Sequence, residues 1–318
     1  MAFAATPELA AAVTTAGGLG AIGAGFDTTS LLKEKIAIVR RHLKIEPGTT
    51  VPVVIGFIGW ILDMTEVSDD PRLVAILDEL PAAVWLAFGT GLEKYLKQVR
   101  VHDIKTSRNT FVFVLVHSVE SARRAAGVGA DALVVQGIEA GGHGRGDAPP
   151  LLSLLQAVLC DVEPGPMILA AGGISTGAQV AALLTMGADG VVLGTRFLFT
   201  HECEYTPAKK EILVGAGLGA TVRTLAFDEV GRTNGWPPNY DGRAVSNNVI
   251  EDLKAGLSIE ERIAKFDESA LTGDNSRLVI WAGIGVGLTE EIKGAADVLR
   301  ELHEETVDHM KRTARLLV

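Results

Sequence analysis

Residues 132–145 read Ala132-Leu-Val-Val-Gln136-Gly-Ile-Glu-Ala-Gly-Gly-His143-Gly-Arg145, an apolar run followed by a glycine-rich loop that carries one histidine. A short valine-rich run of this kind is typical of a strand buried on both faces of a parallel sheet. The glycines after it let the backbone bend sharply and approach a flat ligand closely. The stretch therefore predicts a functional loop at the carboxyl end of a parallel strand.

Short apolar runs alternate with helical patterns on both sides of this stretch. Strict alternation indicates a parallel sheet with helices packed outside it. A (β/α)8 barrel needs eight such strands, and a doubly wound open sheet is the structural alternative. The strands that the sequence predicts are Leu19–Ile22, Val51–Ile58, Ala83–Phe88, Phe111–Val116, Ala132–Gln136, Met167–Ala170 and Val191–Leu193.

The strand that should open the barrel has little sequence to form it. A helix is predicted from Pro7 through Val13, with Thr6 as its N-cap and proline at its first position. Only Met1–Ala4 precede it and could supply a strand. We therefore expect the fold class α/β, a (β/α)8 TIM barrel whose first strand is short or missing.

The regular strand–helix order stops after the last predicted strand. Helical patterns around a Trp236-Pro-Pro-Asn-Tyr240 turn predict a smaller, mainly helical subdomain beside the barrel mouth. The chain then returns to the barrel with a long amphipathic helix over 289–315. The predicted domains are a barrel of residues 1–204 and 278–318 and a helical subdomain of residues 205–277.

Composition and charge argue against several classes of function. The 318 residues carry a net charge of −10 without a dense Lys/Arg cluster, which disfavours nucleic-acid binding. The apolar N-terminus contains Glu8 and lacks a basic region, and no uncharged apolar run reaches the roughly 18 residues of a membrane span. Two cysteines fit a reducing compartment. We expect a cytoplasmic protein, and the absence of HExxH and paired CxxC motifs predicts no metal site.

Two further glycine-bearing turns follow predicted strands. They are Ala170-Ala-Gly-Gly-Ile-Ser-Thr176 and Leu193-Gly-Thr-Arg-Phe197. Loops after the strands of a parallel barrel open on one face, and turns after the last two strands commonly bind phosphate. The pair predicts a phosphorylated ligand, unless the glycines serve only tight turns. On the same face His143 suits a general base or the partner of an anion, against the alternative of a backbone-bonded structural residue.

Taken together, these segments resemble the nitronate monooxygenase family, formerly called 2-nitropropane dioxygenases. The matching segments are Thr6–Val13 with Ala16–Gly20, Asp131–Gly137 with Glu139–His143, Ala171–Ile174, Gly187–Phe197 and Gly285–Leu288. The resemblance implies a TIM barrel that binds FMN and oxidises a small-molecule substrate, alkyl nitronates or in some members nitroalkanes, with O₂. By this resemblance Gln136, Gly141 and Gly142 would lie along the flavin, Gly172, Gly173, Gly194 and Thr195 would hold its phosphate, and His143 would be the base or anion partner.

Two alternatives stay open at the level of sequence. Relatives with the same loops pass hydride from NAD(P)H through FMN to quinones or enoyl thioesters, and the substrate lies in loops that vary. An inactive flavin-fold protein is the other alternative, because family members usually carry a Pro-rich first strand where this sequence begins Met1-Ala-Phe-Ala4. The basic residue often found after the strand 111–116 is also replaced, by His117. A phosphosugar aldolase barrel would need a catalytic Lys or Glu at a strand end, and none stands out. A homodimer through the terminal helix or the subdomain is a further expectation left open.

Overall fold

The computed structural model describes residues 4–162 and 164–317, and its central element is a parallel sheet. The strands of the described residues are β1 (Gly20–Gly23), β2 (Val51–Ile58), β3 (Pro81–Ala87), β4 (Phe111–Val116), β5 (Ala132–Gln136), β6 (Gly142–Arg145), β7 (Met167–Ala171), β8 (Gly190–Val192), β9 (Thr221–Thr224) and β10 (Tyr240–Val245). Within these residues β1-β2-β3-β4-β5-β7-β8 form one sheet of seven strands, all parallel and in chain order.

Helices lie between the strands of this sheet and pack on its outer face, and four more, α10 to α13, lie in the segment 205–277. The helices of the described residues are α1 (Pro7–Thr15), α2 (Thr29–His42), α3 (Gly59–Thr65), α4 (Leu73–Leu77), α5 (Glu93–Thr106), α6 (Val119–Gly127), α7 (Leu151–Val162), α8 (Gly177–Thr185), α9 (Thr195–Leu198), α10 (Pro207–Val214), α11 (Ala226–Gly231), α12 (Asn248–Lys254), α13 (Ile259–Thr272) and α14 (Ala295–Ala314). Short 3₁₀ turns occur at Asn275–Arg277, Ile284–Leu288 and Arg315–Leu317. Within the described ranges, no helix is both long and apolar enough to cross a membrane.

Alternate residues of each strand build two separate cores. Val53 and Ile55 of β2 pack outward against the helices, whereas Val54 between them joins an inner cluster. The inner cluster also contains Phe113 and Leu115 of β4 and Val134 of β5. Because one cluster collects residues from the inner face of strands along the sheet, the sheet is curled into a barrel.

The predicted α/β barrel is confirmed, and each strand predicted from the sequence overlaps an observed one. Thr6 caps α1 as expected, since its Oγ1 accepts the Leu9 N–H at 2.9 Å. Of the first strand proposed at Met1–Ala4, residues 1–3 lie outside the described residues. Within the residues described, β1 and β8 are the two edges of the sheet.

A second, antiparallel sheet joins the barrel to the segment 205–277. Its order is β6-β10-β9, with β6 after the β5 strand of the barrel and the other two strands inside the segment. The predicted helices of this segment are present as α10, α12 and α13, but β9, α11 and β10 were not predicted. The division into two domains stays a prediction.

Candidate active site

The residues singled out in the sequence gather at the carboxyl edge of neighbouring strands β5, β7 and β8. Gln136 ends β5, and the Gly137 N–H donates to the carbonyl of Ala171, at the end of β7, at 3.0 Å. The chain that returns to the barrel after residue 277 packs against this edge, because the Gly283 N–H donates to Thr195 Oγ1 at 2.8 Å. Ile284 N–H likewise donates to the Glu139 carbonyl at 3.1 Å. The three glycine-bearing segments therefore form one continuous surface.

The turn after β7 presents backbone donors that the protein does not use. Gly172 and Gly173 have φ of +117° and +70°, which a side chain would strain. A Cβ on Gly173 would also lie 2.9 Å from the Glu139 Cβ. Among the described residues, no hydrogen bond uses the amides of Gly172, Gly173, Ile174 or, after β8, Gly194. Unpaired amides that converge in this way suit an anion.

The first turn of α8 does not add to this donor set. The Gly177 N–H donates to the Glu305 carboxylate at 2.8 Å. Thr176 and Gln179 satisfy each other's backbone amides in a capping box. A carboxylate already lies at the helix end, so the donors left for a ligand are those of the turn itself.

His143 lies in strand β6 and not in a loop, which corrects the sequence-based description. Its strand pairs with β10, where Gly242 is the residue opposite His143. A Cβ on Gly242 would lie 2.3 Å from the Trp281 ring and 3.2 Å from His143 Nε2. The missing side chain at 242 is thus what makes room for the imidazole. Nothing local predicted this pairing, because residues 142–145 lack the apolar alternation of a strand.

A buried carboxylate is hydrogen-bonded to the imidazole. His143 Nε2 lies 2.8 Å from Oδ1 of Asp228, whose exposure is only 2%. The Thr233 hydroxyl donates to the same oxygen at 2.7 Å. The Trp236 ring is stacked on the imidazole with a centroid distance of 3.6 Å and an interplanar angle of 8°, and Trp281 contacts the imidazole at 4.6 Å. These contacts fix both the plane of the ring and one of its nitrogens.

An aromatic wall extends from Trp236 across the barrel mouth. Trp236 meets Trp60, which follows β2, at 5.5 Å, and Phe88, which follows β3, at 5.4 Å. Phe88 in turn meets Tyr240 at 6.0 Å. The indole nitrogens of Trp60 and Trp236 are buried, and the described residues provide no partner for either. The exposed surface of these rings is mainly apolar, so the wall favours a substrate with an apolar body.

His117 is a second, neutral histidine of this edge. It ends β4, is 4% exposed, and its Nε2 lies 2.8 Å from Gln136 Oε1. Burial lowers the pKa of His117 to about 4, although the bond to Gln136 opposes this shift. The carbonyl oxygen of Gln136 can only accept, so neutral His117 donates its Nε2–H and leaves the amide nitrogen of Gln136 free. Where the resemblance led us to expect a basic residue, the protein holds an uncharged ring.

Two arginines of the second sheet hold the segment around His143 in place. Arg223 donates to the Gly144 carbonyl at 2.9 Å and to Asp241 Oδ1 through its Nε at 2.8 Å. Arg243 donates to the Ile138 carbonyl at 3.1 Å. The sequence did not identify these arginines, Asp228 or the stacking role of Trp236, because their contacts with residues 138–144 join positions that lie 79 to 105 apart.

The chain was also compared with known proteins. A model of the nitronate monooxygenase family matches residues 58–305. The chain belongs to the nitronate monooxygenase family. It is 34% identical to a nitronate monooxygenase of Neurospora crassa, over 96% of this chain and 86% of that protein. It is 29% identical to a nitronate monooxygenase of Pseudomonas aeruginosa, over 94% and 92%.

Solved structures agree with this nitronate monooxygenase family assignment. The nitroalkane oxidase of Streptomyces ansochromogenes superposes with a TM-score of 0.77 at 26% identity, covering 98% of this chain and 94% of that chain. FabK of Thermotoga maritima superposes with a TM-score of 0.76 at 28% identity, covering 100% and 92%. The expected family is confirmed, and the protein is a flavin-dependent oxidoreductase of the nitronate monooxygenase type. The roles of the individual site residues stay predictions.

Proposed function

We propose that this enzyme oxidises alkyl nitronates with O₂ by means of FMN, and that His143 is the base that generates a nitronate from a nitroalkane or the partner that binds the anion. The observation that supports this most is the His143–Asp228 contact, at 2.8 Å, on the strand that leaves the flavin-facing edge of the barrel. An imidazole can accept a proton as a general base, and in its charged form it can pair with an anion.

The residues at the carboxyl edge fit FMN. The unpaired amides of Gly172, Gly173 and Gly194 suit its phosphate, and the Thr195 hydroxyl, which already accepts from Gly283, can still donate. When bound, FMN supplies the redox chemistry by taking electrons from the nitronate and delivering them to O₂.

The ring of the flavin would lie along the end of β5. Gln136 has a free amide nitrogen there, and Gly142, with φ of +66°, has open space where a Cβ would stand. Gly141 is the less open of the two glycines assigned to the ring, since a Cβ on it would lie 2.2 Å from Gly283 N. Its lack of a side chain is therefore also required by packing against the returning segment.

The chain's own chemistry is proton transfer beside an aromatic wall. The α-proton of a nitroalkane is acidic because the resulting anion is delocalised onto the nitro oxygens, so a histidine is a strong enough base to remove it. The aromatic wall of Trp60, Phe88 and Trp236 gives this site an apolar side, and apolar surroundings strengthen the attraction between an imidazolium and a nitronate.

Steady-state oxidation of ethylnitronate and nitroethane by the FMN-loaded enzyme tests this proposal. We expect O₂ uptake and nitrite release with ethylnitronate. In His143→Gln, nitroethane turnover should fall by a factor on the order of 10² to 10⁴, and ethylnitronate turnover should fall far less if His143 is the base. An equal loss on both substrates would identify His143 as the anion partner instead. His303→Gln, an exposed histidine on α14, is the matched control. No ethylnitronate turnover by the FMN-loaded wild type would refute the proposal.

A reductase is the second candidate, because FabK superposes over the whole chain with a TM-score of 0.76. It predicts rapid NAD(P)H oxidation with a quinone or an enoyl thioester as acceptor. Assays of both acceptors on the same FMN-loaded preparation separate the two candidates. Fast NAD(P)H oxidation without nitronate turnover would favour the reductase.

A further inference from the structure

We propose that Asp228 and Trp236 are positioning residues that hold neutral His143 as the Nε2–H tautomer, so that Nδ1 is the atom that takes the substrate proton. Both residues come from the segment 205–277, outside the strands and loops of the parallel barrel. They act in this way only if His143 is the base, so this role rests on the proposed function.

The hydrogen bond to Asp228 selects the nitrogen. An ionised carboxylate only accepts, so the proton of the neutral imidazole must lie on Nε2, 2.8 Å from Asp228 Oδ1. Nδ1 then carries the free lone pair. Within the described residues His143 Nδ1 has no hydrogen-bond partner, and it is not among the fully enclosed polar atoms. The free nitrogen is therefore open to a ligand.

Among the described residues, the Asp228 side chain makes few hydrogen bonds besides the one to His143. Its side chain is buried at 2% exposure, Thr233 donates to the same Oδ1 at 2.7 Å, and the described residues give Oδ2 no partner. Loss of one partner of a buried charge is costly, so the protein would not retain a half-satisfied carboxylate here without a gain. When His143 becomes an imidazolium, the adjacent negative charge gains a full ionic partner.

The remaining charged groups packed around β6 are already paired with other groups. Arg223 of β9 bonds to Asp241 of β10 at 2.8 Å, and Arg145 bonds to Asp147 at 2.7 Å. Arg243 of β10 donates to the carbonyl of Ile138 at 3.1 Å. Among the described residues, Asp228 is thus the charged group in direct contact with the imidazole, and its removal should change the tautomer of His143 more than removal of any of these pairs.

Trp236 fixes the plane of the imidazole and favours its charged form. The rings are nearly parallel, at 3.6 Å and 8°, and an indole face attracts a cation stacked on it. The preceding Gly235 has φ of +112°, and a Cβ on it would lie 2.9 Å from the Trp60 ring. The backbone at 235 therefore packs directly on Trp60, which holds the Trp236 indole over His143.

Nitrogen-15 NMR of the ¹⁵N-histidine-labelled protein, with and without FMN, tests the tautomer independently of turnover. His143→Gln assigns the resonances. We expect the Nε2–H tautomer in the wild type and a shift towards the Nδ1–H tautomer in Asp228→Asn, because the introduced amide can donate to Nε2. Trp236→Leu should keep the Nε2–H tautomer, because the carboxylate is intact, but should move the His143 resonances, because the stacked ring is gone. Asp252→Asn removes another buried carboxylate of the same segment, one that bonds to Arg277 at 2.8 Å, and should leave the His143 resonances unchanged.

Kinetics with the two substrates add the functional readout. In Asp228→Asn the kcat/KM for nitroethane should fall by a factor on the order of 10² to 10⁴, with a shifted pH profile, because an amide that donates to Nε2 favours the wrong tautomer. Turnover of ethylnitronate, which needs no deprotonation, should fall less than about tenfold. Asp228→Glu should recover part of the nitroethane activity.

The outcomes distinguish this role from the proposed function. An Nδ1–H tautomer in the wild type, or a tautomer that stays Nε2–H in folded Asp228→Asn, overturns the positioning role whatever the activity. An Nε2–H tautomer that is lost in Asp228→Asn, in a protein that does not oxidise nitronates, supports the hydrogen-bonded pair and refutes the proposed reaction.

Discussion

His117 should make the stability of this protein depend on pH in a way that one substitution removes. Burial lowers its pKa from 6.5 to about 4 in the folded protein. Below pH 6.5 the unfolded chain therefore binds a proton that the folded protein does not, so stability is fully present above about 6.5 and is lost as the pH falls towards 4. This shift corresponds to about 3 kcal/mol once the loss is complete, and to about 2 kcal/mol at about pH 5.

The substitution His117→Asn tests this reasoning. Asparagine does not titrate, and the cost of its shorter side chain, which does not reach Gln136 as the ring Nε2 does, is the same at both pH values. Urea unfolding of the FMN-free protein, followed by circular dichroism at about pH 7.5 and about pH 5, gives the free energy of unfolding at each pH. The wild type should lose about 2 kcal/mol more than His117→Asn between these conditions.

A matched control isolates the histidine. His303 is exposed on α14, and the variant His303→Gln should unfold with the same pH dependence as the wild type. Other titrating groups are common to all of these variants and cancel in the difference. Equal pH dependence of the wild type and His117→Asn would refute the claim that His117 is buried as a neutral ring.

Three further substitutions test the packing of the site. Gly242→Ala should lower nitroethane turnover and destabilise the fold by about 1–3 kcal/mol, because its Cβ would lie 2.3 Å from the Trp281 ring. The control is Gly217→Ala, whose Cβ would meet no atom within 4 Å. Equal unfolding midpoints of the two variants would contradict the prediction. Gly173→Ala should weaken FMN binding by about tenfold or more in a fluorescence titration, because its φ is +70°; unchanged affinity would exclude this turn from the cofactor site. Arg223→Lys should cost about 1–3 kcal/mol in urea unfolding through loss of the bonds to Gly144 and Asp241, and a cost near zero would show that they do not hold β6.

The barrel was predictable because its signals are local. A run such as Val51–Ile58 carries its own strand pattern, and the observed strand has the same bounds. Glycine turns such as Gly172-Gly173 mark positions where the backbone must adopt positive φ, and both residues do so. Neighbouring parallel strands then bring such turns to one edge without any knowledge of distant contacts.

The surroundings of His143 were not predictable in the same way. Residues 142–145 alternate glycine with polar residues, so nothing local indicates the strand that pairs with Tyr240–Val245. Asp228 lies in a six-residue helix whose sequence predicts an exposed turn, yet its side chain is buried at 2% exposure. Trp236 was identified only as part of a turn. Its stacking partner, His143, lies 93 positions earlier in the chain, from 143 to 236.

The sequence by itself determined the parallel barrel, the glycine turns at its carboxyl edge and the family, since each is written in short stretches of adjacent residues. The tertiary structure alone decided that His143 stands on a strand, that Asp228 bonds to its Nε2, and that Trp236 covers its ring. The physical reason is that a hydrogen bond or a ring stack depends on positions fixed to within tenths of an ångström, and these positions result from pairing between distant segments around Gly242.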